Sequence, residues 1–172
     1  MPIVREILGK SPQLGANCWL AETATVLGDV TMGDECSVWY NAVLRGDVDA
    51  IRIGNRVNIQ DGAIVHCSTD RTPTVIGDNV TVGHNAIVHG CKLHDNVLIG
   101  MGAIVLDGAV VHSGSIVAAG SVVLENTEIP SGCIYAGTPA KKVKELSVEQ
   151  AEAMIAGTAD GYVHHKEWYR EG

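Results

Sequence analysis

Phenylalanine is absent from these 172 residues, and tryptophan and tyrosine bring the aromatic share to only 4%. Without large rings, a core has to be filled by something more regular, such as stacked aliphatic side chains. Long apolar runs are missing too. No stretch approaches the ~20 uninterrupted apolar residues of a membrane-spanning helix, and the opening MPIVREILGKSPQLG has no cationic start, apolar run or small-residue cleavage site. The expectation is a soluble, unexported, cytoplasmic protein with no membrane partner. Basic residues are outnumbered 12 to 20, for a formal charge of −8. That is the wrong sign for a nucleic-acid surface, while a small-molecule substrate remains open. The five cysteines are an odd number and none forms Cys-x-x-Cys, so free thiols are expected.

What is present is a beat of six. Aliphatic side chains recur at Leu20, Val26, Met32, Val38 and Leu44, at Ile53, Ile59 and Val65, at Ile76, Val82 and Val88, and at Leu93, Ile99, Val105, Val111, Val117 and Val123. Glycine often follows, as in MGD, IGN, IGD, VGH and IGM. This period suits neither an amphipathic helix nor an alternating sandwich strand. It suits a mainly β fold, a parallel β-helix of triangular section in which each hexapeptide makes one short strand and one corner. Inward side chains then stack on their equivalents about 4.8 Å above and below, and each buried Val, Leu or Ile contributes roughly 1.5–3 kcal/mol.

The beat breaks three times, with nine residues from Leu44 to Ile53, eleven from Val65 to Ile76 and five from Val88 to Leu93. Asp47 to Ala50 and Ser68 to Pro73 are expected to leave the coil as loops, where sites are commonly built. The β-helix is expected over residues of about 15–140, with the beat stopping after Gly132. Residues of about 147–170 read as a helix packed on it within a single domain. Ser147 and Gln150 form its capping box, and Ala151, Met154, Ile155, Thr158, Tyr162, Val163 and Tyr169 form its apolar stripe.

Two histidines stand five apart in TVGHNAIVHG, residues 81–90. On a helix that offset turns them away from each other, and on a strand an odd offset puts them on opposite faces. The coil register pairs them differently. Val65 and Val88 share a face in consecutive coils, so His66 and His89, each one residue later, share an outward column one rung apart. Side chains at that spacing can converge on one ion at about 2.0–2.1 Å per nitrogen. Arg45, after Leu44, holds the same column one coil earlier. His84 points elsewhere, and a second copy related by three-fold rotation brings its own His84 to the first copy's pair.

Residues of about 10–145 resemble the γ-class carbonic anhydrases among the hexapeptide-repeat proteins. The resemblance is carried by RGD (Arg45, Gly46, Asp47), by NIQDGAIVH (Asn58, Gln60, Asp61, His66) and by GHNAIVHGC (His84, His89). It implies a single-stranded left-handed β-helix with a C-terminal α-helix, assembled as a homotrimer with metal between subunits. The metal implied is Zn2+, with Fe2+ or Co2+ also suited; His66 and His89 come from one chain and His84 from its neighbour. Arg45, Asp47 and Asp61 are implied around the site or its interface, Gln60 on a metal-bound solvent with Asn58 beside it in the motif, and Tyr162 as the approaching helix tyrosine.

The reaction implied is reversible hydration of carbon dioxide to bicarbonate, a metal-dependent lyase chemistry. Three neutral imidazoles leave the ion dipositive with an open position for water, whose pKa can fall to about 7. The hydroxide formed attacks carbon dioxide, and Arg45 adds a positive field that favours anions. In one respect the chain departs from the family. Strongly active members carry an acidic loop whose glutamate shuttles protons, whereas here only Asp47, Asp49 and Asp70 lie nearby in sequence. That departure points to weak or absent turnover at a competent metal site.

Two other readings use the same scaffold. GTPAKK, Gly137 to Lys142, resembles the coenzyme A-contacting end of hexapeptide acyltransferases, which points to an acyltransferase or thioesterase acting on coenzyme A thioesters. The same motif also ends β-helices generally, and the acidic chain offers a phosphoanion little beyond Lys141, Lys142 and Lys144. The remaining reading is a non-catalytic trimeric assembly module that keeps the metal for stability. Cys67 and Cys91 fall at different offsets in their repeats and read as small-residue packing.

Overall fold

A computed structural model describes residues 1–69 and 72–170 of the chain. Short strands, most of two or three residues, pair in parallel with strands one coil earlier and later, so the chain winds as a β-solenoid of about seven turns. One face stacks Trp19–Leu20, Ser37–Val38, Asn58–Ile59, Thr81–Val82, Leu98–Ile99, Ile116–Val117 and Cys133–Ala136. The second stacks the start of Val43–Ile53 with Ile64–His66, Ile87–His89, Ile104–Val105 and Val122–Val123. The third stacks the end of Val43–Ile53 with Thr74–Ile76, Lys92–Leu93, Val110–Val111 and Glu128–Ile129.

The six-residue beat supplies the core. Val38, Ile59, Val82, Ile99 and Val117 stand in register on the first face, each fully buried. Val65, Val88, Val105 and Val123 do the same on the second. Each methyl-bearing side chain is therefore packed above and below by its own kind, and the ladder fills the narrow interior without rings.

Two expectations about boundaries need correction. Asp47 to Ala50 is not a loop: it lies inside the strand Val43–Ile53, which pairs with Thr25–Met32 through a register shift between Gly28 and Val30. The extra residues are absorbed as a bulge because the neighbouring long strand offers continuous partners, and this keeps Asp47 close to the solenoid wall. Ser68 and Thr72 pair in an isolated antiparallel bridge, outside the parallel register, as expected of the two ends of a loop, while Asp70 and Arg71 lie outside the described residues. The repeat also runs one rung past Gly132, since Ile134 and Tyr135 pair with Ile116 and Val117. The chain then turns within GTPAKK, and Lys141–Glu145 returns antiparallel on Cys133–Ala136 to close the end of the solenoid.

The helix spans Val148–His165, with both hydrogen bonds of the Ser147/Gln150 capping box formed, and continues as a 3-10 turn over Lys166–Tyr169. Its buried residues are Ala151, Ile155 and Ala159, whereas Met154 faces outward at 48% exposure. Alanines let the helix sit close on the first face, which a methionine in the seam would prevent. Lys166 anchors the far end. Its side chain is fully buried, with Nζ donating to Glu35 Oε2 at 2.7 Å and to the Asn17 carbonyl at 2.8 Å. The tail is thereby tied to the first coil.

Ile99→Ala removes one rung of the ladder where the neighbours above and below are held by their own backbone pairing. The expected loss is about 2–5 kcal/mol, measured by denaturant unfolding against the wild-type chain.

Candidate metal centre

His66 and His89 are direct partners across two parallel strands. His66 Nδ1 lies 3.1 Å from His89 Nε2. A tetrahedral ion with bonds of 2.0–2.1 Å holds its nitrogens about 3.3 Å apart, so the two imidazoles fit a shared divalent cation. Each ring's other nitrogen faces a carboxylate: His66 Nε2 lies 3.1 Å from Asp47 Oδ1, and His89 Nδ1 lies 2.5 Å from Asp107 Oδ1. That is the arrangement in which a metal-binding histidine is held in one tautomer and one orientation.

Arg45 completes this group. Its guanidinium donates to Asp47 Oδ2 at 2.6 Å and lies 3.5 Å from His66 Nδ1. Burial, joined by the Arg45 charge, pushes the His66 imidazole below its ordinary range despite the opposing pull of Asp47. Burial acts to raise the Asp47 carboxyl, but the hydrogen bonds from Arg45 and His66 outweigh it and hold the group below the usual range. The result is a neutral imidazole beside an ionised carboxylate.

Sequence reasoning missed Asp107. Val88 pairs with Val105, so the column of His66 and His89 continues to Leu106; Asp107 stands one residue further along, opposite Gly90 on the next coil, where counting along the column does not reach. Gly90 makes room for it: a Cβ at that position would stand 2.5 Å from Asp107 Oδ1 and 2.8 Å from Thr72 Oγ1.

The other expected residues gather at a different corner. His84 Nδ1 lies 2.8 Å from Asp61 Oδ2, one rung below, so this histidine also has a carboxylate partner. Gln60 lies on the first face, buried, with its amide donating to Asn58 Oδ1 at 3.0 Å; Asn58 in turn donates to Thr81 Oγ1 at 2.9 Å. The chain of amides fixes which way Gln60 points. Tyr162, on the helix, shares a cavity with Asp61, and burial followed by that carboxylate raises its phenol above the ordinary range.

The nine expected site residues thus fall into two groups. Arg45, Asp47, His66 and His89 stand at the far edge of the second face, and Asn58, Gln60, Asp61, His84 and Tyr162 stand at its near corner and on the first face. Among the described residues of one chain, no group of three or more His, Cys, Asp or Glu is placed to hold a metal ion. All five cysteines are free, four of them buried, and among the described residues no helix is long and apolar enough to cross a membrane.

The bacterial transferase hexapeptide (six repeats) family matches residues 73–105 and 90–125. A probable carbonic anhydrase of Methanocaldococcus jannaschii is 54% identical over 82% of this chain and 88% of its own length. The chain belongs to the γ-class carbonic anhydrase family. The mitochondrial γ carbonic anhydrase 2 of Arabidopsis thaliana is 45% identical over 92% of this chain, which spans only 58% of that relative's length. Among solved structures, a hexapeptide transferase family protein from Anaplasma phagocytophilum superposes with a TM-score of 0.91 at 39% identity, covering 97% of this chain and 98% of that one. The γ-class family assignment thus rests on sequence along most of the chain as well as on the solenoid.

Two outcomes follow for this γ-class chain. Asp107→Ala frees the His89 ring to turn, and Zn2+ affinity is expected to fall about 10- to 100-fold, measured by competition with a chromogenic chelator. The His66 shift has a sign that shows in metal-free protein. Its folded pKa lies below the unfolded value, so the unfolded chain holds the extra proton between the two, and stability is lost as pH falls from about 6.5. Between pH 7.5 and 5.5 the urea midpoint is expected to drop further for wild type than for His66→Gln.

Proposed function

We propose that the chain acts as a γ-class carbonic anhydrase, a homotrimer with a divalent metal, Zn2+ before Fe2+ or Co2+, at each subunit interface, interconverting carbon dioxide and bicarbonate. The observation that carries this reading is that carboxylate-backed histidines stand at both edges of one outward apolar face. Val43, Ile64, Ile87, Ile104 and Val122 are in register on the outside of the second face, and Ile64 is 41% exposed. The third face offers Arg52, Val75, Lys92, Val110 and Glu128 at the same positions. Of these two, the second face has the apolar surface that subunits would bury. Packing three such faces about an axis sets the His66/His89 edge of one copy against the His84 corner of the next.

When bound, the ion supplies Lewis-acid activation of water at neutral pH. The chain's own residues do the rest. Asp47, Asp107 and Asp61 fix the orientation of three imidazoles, Arg45 attracts the anionic product, and Gln60, locked through Asn58 to Thr81, orients the reacting solvent. Tyr162 keeps its proton and offers a hydrogen bond from the helix side. Proton removal falls to Asp47, Asp49 or exchange with buffer, since neither insertion carries a glutamate. A reducing compartment such as the cytoplasm suits the free cysteines.

The test is metal content and hydration rate together. Protein purified without chelator is expected to carry about one ion per chain and to hydrate carbon dioxide in stopped flow, with a rate that climbs with imidazole buffer concentration. Content well below one ion overturns the reading, and full content with no hydration leaves the assembly module. His84→Ala and His66→Ala are each expected to lose metal. Refolded as a mixture they are expected to regain part of it, because a mixed trimer pairs an intact His66/His89 edge with an intact His84 corner. No recovery, with trimers formed, would reject the interfacial site.

A further inference from the structure

Six of the seven Trp and Tyr residues collect in one seam between the first face and the helix tail, Tyr135 alone standing apart. Trp39 is the hub, with ring centroids 4.8 Å from Trp19, 5.2 Å from Tyr162 and 5.3 Å from Tyr169. The outer surfaces of this cluster, with Tyr40, His165 and Trp168, line a cavity of about 240 Å³ whose one formally charged wall residue is Asp61. Trp168 lines the cavity and is 64% exposed.

Neither carbon dioxide nor bicarbonate needs such a chamber. Aromatic faces present negative quadrupoles, which repel an anion and attract a cation within about 6 Å of the ring centre. The acidic side of the balance is reinforced by register. Glu22 precedes Tyr40 by one rung in the same corner column, and Asp61 follows it by one. The nearby cations are already engaged, Lys166 with Glu35 and Arg170 with Glu167 and the Asn17 carbonyl.

We propose that this aromatic chamber binds a small organic cation of the alkylammonium class, with the rings of Trp39, Tyr162 and Trp168 around the charged head and Asp61 as its counter-charge. The site adjoins the candidate metal corner through Asp61, whose Oδ2 faces His84, but it is built from one chain and does not need the ion. Its occupant is a candidate for a second substrate or an effector of the metal site.

The probe is choline, compared with 3,3-dimethylbutan-1-ol, the neutral molecule of the same shape, in titrations followed by tryptophan fluorescence and calorimetry. Choline is expected to bind saturably and at least tenfold more tightly than the neutral isostere, in both chelator-treated and zinc-loaded protein. Trp168→Leu, a change at an exposed position, is expected to weaken choline at least threefold while leaving the unfolding midpoint in place. Asp61→Asn is expected to shrink the preference for charge over the neutral isostere. Equal affinity for the two molecules, no saturable binding of either, or unchanged affinity in Trp168→Leu would overturn the proposal. Since the chelated protein is included, loss of the metal reading and loss of this one are separable.

Discussion

Everything in this molecule depends on in-register parallel stacking, in which each residue is hydrogen-bonded to the residue one coil away and stands directly over it. The rule converts distance along the chain into contact. His66 and His89 are 23 residues apart and His89 and Asp107 are 18 apart, yet each pair meets. The surplus residues between Val65 and Ile76 leave the register intact, since Val65 still pairs with Val88 and Ile76 with Ile53. A scaffold of this kind tolerates insertions at corners because loop closure grows slowly in cost with length, while the rung spacing stays fixed by backbone hydrogen bonds.

Fixed rungs also explain the electrostatic design. Imidazoles one rung apart are close enough to repel if both are protonated, and burial at His66 together with Arg45 disfavours the charged form further. Asp47, itself paired with Arg45, pulls His66 the other way without outweighing this. His66 is thus preset as a neutral donor. A cation arriving there meets little competition from protons near neutral pH.

Much of this was legible in the sequence because a strict repeat makes the third dimension periodic. The inward ladder, the shared column of Arg45, His66 and His89, and the separate direction of His84 all followed from counting. What counting could not supply was the handling of departures. A nine-residue gap does not say whether the surplus leaves as a loop or bulges within a strand, and the partner strand Thr25–Met32, itself extended, decided for the bulge. The helix stripe was misread for a related reason. Its seam is set by how near the backbone must come to a flat β face, which selects Ala151 and Ala159 over Met154, and no helical period carries that information. Asp107 stands one residue off the histidine column, which continues to Leu106, so counting along that column passes it by.

The missing phenylalanine and the crowded aromatic seam have one cause. A triangular coil built from two-residue strands has an interior about one aliphatic side chain deep, so a ring placed inward would force neighbouring rungs apart and break the ladder. Rings are therefore kept out of the ladder except at its last rung, where Tyr135 stands over Val117, and the others lie outside the coil, where the helix covers the first face and leaves a gap. Trp39 and Tyr162 fill its floor, and Trp168 stands at its rim. Because Asp61 and His84 occupy the corner that bounds this gap, the same exclusion that keeps the core aliphatic brings the aromatic surface beside the candidate metal corner. Chemistry at that corner is then open to selection by shape and charge in a way that a bare solenoid edge is not.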